Sequence, residues 1–215
     1  WTGYFELIEE RLASLSEPFF LWIFLLDTHQ PYITPRRYRK ESAAWEMYYS
    51  VMRYWHGEIN DEDLPDRAAN LIGQAYRDAV RSVDGFMKTL SDTVSPYDPV
   101  TVFFSDHGEA LGEHGNFGHE QTLYEENLRV PLLIHTAKKS KTIDEQFPLQ
   151  SLPELLVGLT EDETLDPYSY TQQFVVSNTE DNQTSSVRST RWKLVSDGNR
   201  TQLFDLQVDP AETDD

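Results

Sequence analysis

The chain has 215 residues, with 37 acidic and 18 basic side chains, a formal net charge of −19 and no cysteine. The missing cysteine excludes a disulfide-stapled scaffold and a cysteine-ligated zinc module. The acidic balance argues against nucleic acid and against an anionic membrane, and the 11 Phe, 11 Tyr and 5 Trp argue against disorder.

The length fits one domain with a sizeable core, or a domain with a small appendage. Twelve of the basic residues are arginine and six are lysine. This balance fits a protein adapted to high salt, and it fits an ordinary acidic protein equally well. The first residue is Trp1, which reads as a processed chain or a piece of a longer one. No signal peptide or bilayer-length apolar run is visible, which favours a soluble chain, with the cytoplasm slightly ahead.

Apolar residues at Tyr4, Leu7, Ile8, Leu12 and Leu15 predict an amphipathic helix. Phe19–Leu26 is continuously apolar and ends in Asp27-Thr28-His29. It reads as a strand buried on both faces, with its polar end at the edge where α/β sheets bind ligands. Gln30–Arg39, with two prolines, reads as a loop. Ser42–Trp55 reads as a short aromatic-rich helix, and Gly57–Pro65 as an acidic loop. From Leu64 to Leu90 runs the clearest 3.6-residue stripe in the chain, a long helix.

Ser95–Pro99 predicts a turn and Val100–Phe104 a second buried strand, followed by Ser105-Asp106-His107-Gly108-Glu109. A loop spans Gly112–Gly118, a helix His119–Asn127, a third strand Val130–His135, a polar connection Lys138–Phe147 and a helix Ser151–Leu159. After an acidic linker, Glu161–Thr164, come short runs at Phe174–Val176, Ser186–Ser189, Trp192–Val195 and Gln202–Leu206. Turn residues such as Asp197-Gly198-Asn199 separate them, which predicts a small antiparallel sheet. The expected organisation is an α/β layer over 1–160 and a β-rich subdomain over 161–215.

Asp106 and His107 offer one oxygen and one nitrogen donor at a strand end. The pair suits a divalent metal, and it also suits a cap on the next turn. His29, His114 and His119 sit at a strand end or in the adjoining loop. Imidazoles gathered at one sheet edge can protonate a leaving group or hold an anionic oxygen.

Asp106-His107-Gly108-Glu109-Ala110-Leu111-Gly112-Glu113-His114-Gly115, then Gly118-His119, then Leu123 to Leu132, resembles the sulfatase family of the alkaline phosphatase superfamily. Asp27-Thr28-His29-Gln30-Pro31-Tyr32 looks like that family's earlier strand-end segment. Arg188–Lys193, Leu203–Leu206, Asp209-Pro210 and Glu212 look like its closing hairpin. The resemblance runs nearly end to end. It implies an alkaline phosphatase-like mixed sheet sandwiched by helices, with a small C-terminal antiparallel sheet. It implies hydrolysis of sulfate monoesters, possible on a glycan, at a divalent cation, first of all Ca2+, with Mg2+ or Mn2+ as alternatives. Asp106 and His107 would be metal ligands. His29 would meet the ester oxygen and supply the leaving-group proton. His119 would stand where many members have a sulfate-binding lysine. Glu109, Tyr124 and Arg129 match the pattern as structural residues.

Asp-His at the metal pair also occurs in related phosphoester and phosphonate hydrolases, so phosphoester or phosphonate hydrolysis, or phosphoryl transfer in the same superfamily, is the alternative reading. The family's nucleophile (a cysteine matured to formylglycine, or a serine, within Cys/Ser-x-Pro-x-Arg; serine or threonine in the phosphoester relatives) and its first-strand aspartate pair are not in these 215 residues. Ile33-Thr34-Pro35-Arg36-Arg37 has isoleucine at the nucleophile's place. The sequence therefore reads as a C-terminal half, with the nucleophile expected upstream. The missing N-terminal half, or a covering partner, is expected over the unpaired sheet edge. A non-catalytic binding module is the remaining reading.

Overall fold

The computed structural model describes residues 1–60, 64–119, 122–136, 141–162 and 165–214. The chain divides into two compact units, Trp1–Tyr97 and Asp98–Asp215.

The first unit is helical. It holds α1 (Phe5–Ser14), α2 (Ala44–Asn60) and α3 (Asp66–Val94). Phe5, Ile8 and Leu12 of α1 bury one face against Phe86 and Leu90 of α3, as the 3.6-residue spacing requires. A buried carboxylate ties α3 to the approach to α2. Asp78 accepts the amides of Lys40 (2.9 Å) and Ser42 (2.9 Å) and the Ser42 hydroxyl (2.7 Å). Burial alone would raise this carboxyl, but those hydrogen bonds outweigh it and hold it below its ordinary value.

Phe19–Leu26 departs from expectation. It is extended but carries no ladder, and it is not buried on both faces. Phe19, Leu21, Ile23 and Leu25 pack on the α1–α3 cluster. Phe20, Trp22, Phe24 and Leu26 point outward and are 57 % to 68 % exposed. The period-2 geometry of an extended chain divides the run into a covered and an open face. Helix α2 also runs on to Asn60, past the expected start of the acidic loop, whose residues 61–63 lie outside the described ones.

The second unit is mixed. Strands β1 (Thr101–Phe104) and β4 (Leu132–His135) pair antiparallel, Phe104 opposite Leu132. Val102, Phe104, Leu132 and Ile134 pack against Leu152, Leu155 and Leu159 of α5 (Leu152–Glu161). Leu133 stays exposed, so helix covers one face of this pair. Between them lie β2 (Ala110–Leu111), β3 (Phe117–Gly118) and α4 (Glu125–Leu128). The helix expected over His119–Asn127 is thus one turn, begun after an extended Tyr124; residues 120 and 121 lie outside the described ones.

The C-terminal sheet is an antiparallel meander of β5 (Val175–Asn178), β6 (Ser185–Arg188), β7 (Trp192–Ser196) and β8 (Thr201–Asp205). Its last hairpin closes through Asp197, Gly198 and Asn199. Gly198 has φ +84°, and Asp197 accepts the amides of Asn199 and Arg200. No helix among the described residues is long and apolar enough to cross a membrane.

Candidate active site

The Ser105–Glu109 turn follows β1 directly, and its backbone is bolted to the α4 segment. The amide of Gly108 donates to Asn127 O at 2.8 Å, and that of Glu109 to Glu126 O at 2.9 Å. A Cβ at Gly108 would sit 1.9 Å from Glu126 O, so only glycine lets the two strands of chain approach this closely. Ser105 Oγ donates to His107 O at 2.6 Å and fixes the turn from inside.

This turn aims two donors outward. His107 Nδ1 lies 2.8 Å from Gly108 O. A carbonyl oxygen only accepts, so Nδ1 carries a proton there, and the neutral ring has its lone pair on Nε2. His107 Nε2 is 3.7 Å from Asp106 Oδ1, and the Asp106 side chain is mostly exposed. Asp106 also accepts the His107 amide at 3.1 Å.

The β2–β3 pairing returns the chain to this turn. Ala110 opposes Gly118, and the next residue, His119, brings its ring centroid to 4.3 Å from that of His107. Asp106, His107 and His119 thus form one exposed cluster. Its donor set suits a divalent cation in kind, one carboxylate and outward-facing imidazole. Among the described residues no group of three or more His, Asp or Glu is arranged to hold a metal ion.

His29 belongs to the first unit. It follows the extended segment in a turn where its amide donates to Leu26 O at 3.1 Å and Tyr32 N–H donates to His29 O at 3.0 Å. Its Nδ1 donates to Gln30 O at 2.8 Å, so its neutral ring also carries the lone pair on Nε2. Tyr32, fully buried edge-on to Tyr76, anchors the turn.

His114 serves differently. Its Nδ1 is 2.8 Å from the Glu126 carboxylate and its Nε2 3.1 Å from Glu212 O, so the imidazolium satisfies both acceptors. Its ring stacks on Tyr124 at 3.7 Å. Burial would lower its pKa, yet the bonds to Glu126 and Glu212 prevail and raise it. Beside it lies an ion set that local sequence did not announce. Buried Lys193 reaches Glu212 at 2.8 Å and Glu125 at 3.2 Å, and Arg188 meets Glu125 at 2.8 Å. Desolvation would raise Glu125, but Arg188 and Lys193 hold it low; desolvation prevails at Glu212, whose carboxyl is pushed up despite Lys193. The available signal was Lys193 itself, on the inward face of an alternating strand with Val195, where an ammonium needs a carboxylate.

A helix-covered strand pair, the Asp106-His107 turn at its end and a closing antiparallel sheet make an alkaline phosphatase-like fold. The solved phosphonate monoester hydrolase of Agrobacterium radiobacter shares it at TM-score 0.69 and 16 % identity, over 95 % of this chain and 54 % of that one. The structure of BT4656 in complex with its substrate D-glucosamine-2-N,6-O-disulfate shares it at TM-score 0.54 and 20 % identity, over 80 % and 42 %. The sulfatase family model matches residues 3–152, and the chain belongs to the sulfatase family. An arylsulfatase of Clostridium perfringens (strain 13 / Type A) is 23 % identical over 94 % of this chain, which spans 50 % of that relative.

Proposed function

We propose that this chain is part of a hydrolase that cleaves sulfate monoesters at a divalent metal. The observation that carries the reading is the sulfatase-family match running through the Asp106, His107 and His119 cluster. Residues 1–160 would form the C-terminal part of the catalytic α/β domain and 161–215 its β-rich subdomain.

Asp106 and His107 would hold the cation, Ca2+ first, with Mg2+ or Mn2+ as alternatives. When bound, it supplies charge stabilisation to the ester oxygens. The His107 bond to Gly108 O keeps Nε2 available for that coordination. His119 would donate an N–H to a sulfate oxygen. His29, as the imidazolium, would give the leaving oxygen its Nε2 proton while Nδ1–H stays bonded to Gln30 O, leaving the neutral ring to take a proton from water. The nucleophile, a formylglycine, is expected upstream of these residues, and the chain alone should show no meaningful turnover.

The test is turnover by the protein carrying this chain with its nucleophile segment, on p-nitrophenyl sulfate, p-nitrophenyl phosphate and a p-nitrophenyl phosphonate. The sulfate should give the highest kcat/KM, and Asp106→Ala or His29→Ala should lower it about 10²-fold or more. The Asp106–His107 pair also suits phosphoester and phosphonate hydrolysis, so the reverse order of substrates would move the assignment there. No turnover on any of the three, with sulfate-ester binding retained, would make the chain a binding module.

A further inference from the structure

The β2–β3 hairpin carries His119 back to the Asp106–His107 turn, yet its ladder is two residue pairs long, Ala110 with Gly118 and Leu111 with Phe117. A ribbon that short does not hold its shape unaided. Its base is fixed by the Glu109 amide, which donates to Glu126 O at 2.9 Å. Its tip, Glu113–Gly115, is fixed through the His114 side chain. Nδ1 lies 2.8 Å from the carboxylate of that same Glu126, Nε2 lies 3.1 Å from Glu212 O, and the ring stacks on Tyr124 at 3.7 Å. Glu126 thus grips both ends of the excursion that delivers His119, the base by its carbonyl and the tip by its carboxylate.

This tether is strained and depends on a charge. His114 has φ +52° and ψ +22°, and Glu212 has φ +54°. Both are non-glycine residues in the left-handed region, where a backbone stays only if its surroundings hold it. The two oxygens that meet the ring, a carboxylate and a carbonyl, only accept, so the imidazolium alone donates to both. A neutral ring turns its lone pair toward one of them, and that link becomes repulsive. The neighbouring groups are engaged elsewhere. Glu125 of α4 faces Arg188 and Lys193, and the Glu212 carboxylate faces Lys193 and the Glu125 amide. The Tyr124 hydroxyl donates to Gln202 Oε1 at 3.5 Å, and Glu113 on the tip itself accepts the Leu111 amide at 2.5 Å. Burial lowers the His114 pKa, but the bonds to Glu126 and Glu212 prevail and raise it above 6.5. The tether is therefore complete below 6.5 and loses a bond as pH rises through the raised value.

We infer that His114 is a positioning residue for the proposed ester cleavage: its imidazolium pins the tip of the β2–β3 hairpin to α4 and to the segment around Glu212, and so keeps His119 over His107. It acts through β3, whose last residue, Gly118, precedes His119, and not on the substrate itself. The reaction then gains a pH dependence set by a group outside the Asp106, His107 and His119 cluster. The effect on rate rests on the proposed sulfate-ester reaction. The control of His119 by His114 stands without it.

The experiment uses the protein carrying this chain, with His114→Gln as a side chain neutral at every pH and His114→Arg as a cation at every pH. It measures kcat/KM on p-nitrophenyl sulfate from about pH 6 to pH 9 and, alongside, the NMR cross-peak between the His107 and His119 rings. Ratios between proteins at one pH cancel the titration of His29 and His119, which all of them share. The unmodified protein should exceed His114→Gln about tenfold at the acid end and approach it at the alkaline end. His114→Arg should match the unmodified protein at the acid end and exceed it at the alkaline end. The ring cross-peak should be weak throughout in His114→Gln and should fade in the unmodified protein as His114 titrates. Glu126→Gln removes the carboxylate partner and should move that midpoint to lower pH, a shift that a histidine with a merely structural role does not produce. A ratio to His114→Gln that is the same at every pH, a cross-peak unchanged in His114→Gln, or a midpoint unmoved by Glu126→Gln overturns the inference. A cross-peak that follows His114 in a protein that turns over no aryl sulfate would support the positioning role while refuting the proposed reaction.

Discussion

Two segments of this chain share one design and differ in one respect. Phe19–Leu26 and Val100–Phe104 are both apolar runs that end in an acid and a histidine. The second has a ladder partner in β4, a helix over one face and a turn bolted to α4. The first packs alternate side chains on α1 and α3 but pairs with no strand of these 215 residues, and Phe20, Trp22, Phe24 and Leu26 face away from that cluster. An apolar run thus specifies an extended chain. Whether it becomes a strand of a sheet depends on residues far away in sequence. The polar ends are ordered in both, because the His29 and His107 turns are closed by local hydrogen bonds.

The comparison breaks most sharply at Gly108. Gly108→Ala would press a methyl into Glu126 O and should cost about 3 kcal/mol or more, read as a lowered urea midpoint together with loss of the His107–His119 proximity in NMR. Lys193→Met would leave Glu125 and Glu212 buried without their ammonium. It should cost about 3–5 kcal/mol by the same denaturation measurement, with the double variant Lys193→Met/Glu212→Gln recovering part of the loss.

On the open segment the expectation is the reverse. Phe20→Ser/Phe24→Ser should change stability by no more than about 1 kcal/mol and should reduce binding of a hydrophobic dye. A loss comparable to that of Gly108→Ala would show that this face is buried after all. The smallest effect is a pH dependence at His114. Its pKa is raised in the folded state, so its bonds to Glu126 and Glu212 contribute fully below the ordinary value of 6.5. That contribution is lost as pH rises through the raised value. Thermal midpoints should therefore fall as pH rises from 6.5 through that raised value, and His114→Ala should flatten the slope.

What the sequence disclosed follows the range of the interactions involved. Helices α1 and α3 were legible because their stripes are local, and the β5–β8 meander because Asp197-Gly198-Asn199 and its like mark each reversal. The helix expected from His119 failed because the chain reaches Tyr124 extended and turns only over Glu125–Leu128. The Asp106–His107 pair was legible as adjacent donors at a strand end. The return of His119 over His107 needed the β2–β3 register, and the Lys193 ion set joins residues tens of positions apart. The aromatic content of α2 was plain in the sequence, but not that its rings would lie on the face away from Met47 and Val51.

The central proposal is that Asp106 and His107 would hold a divalent cation beside His119. The most direct measurement is a Ca2+ titration followed by the imidazole NMR signals of His107, His119 and His114. The account predicts saturable shifts at His107 and His119 and none at His114, with the shifts abolished in Asp106→Ala. Equal shifts in Asp106→Ala, or shifts at His114 alone, would contradict it.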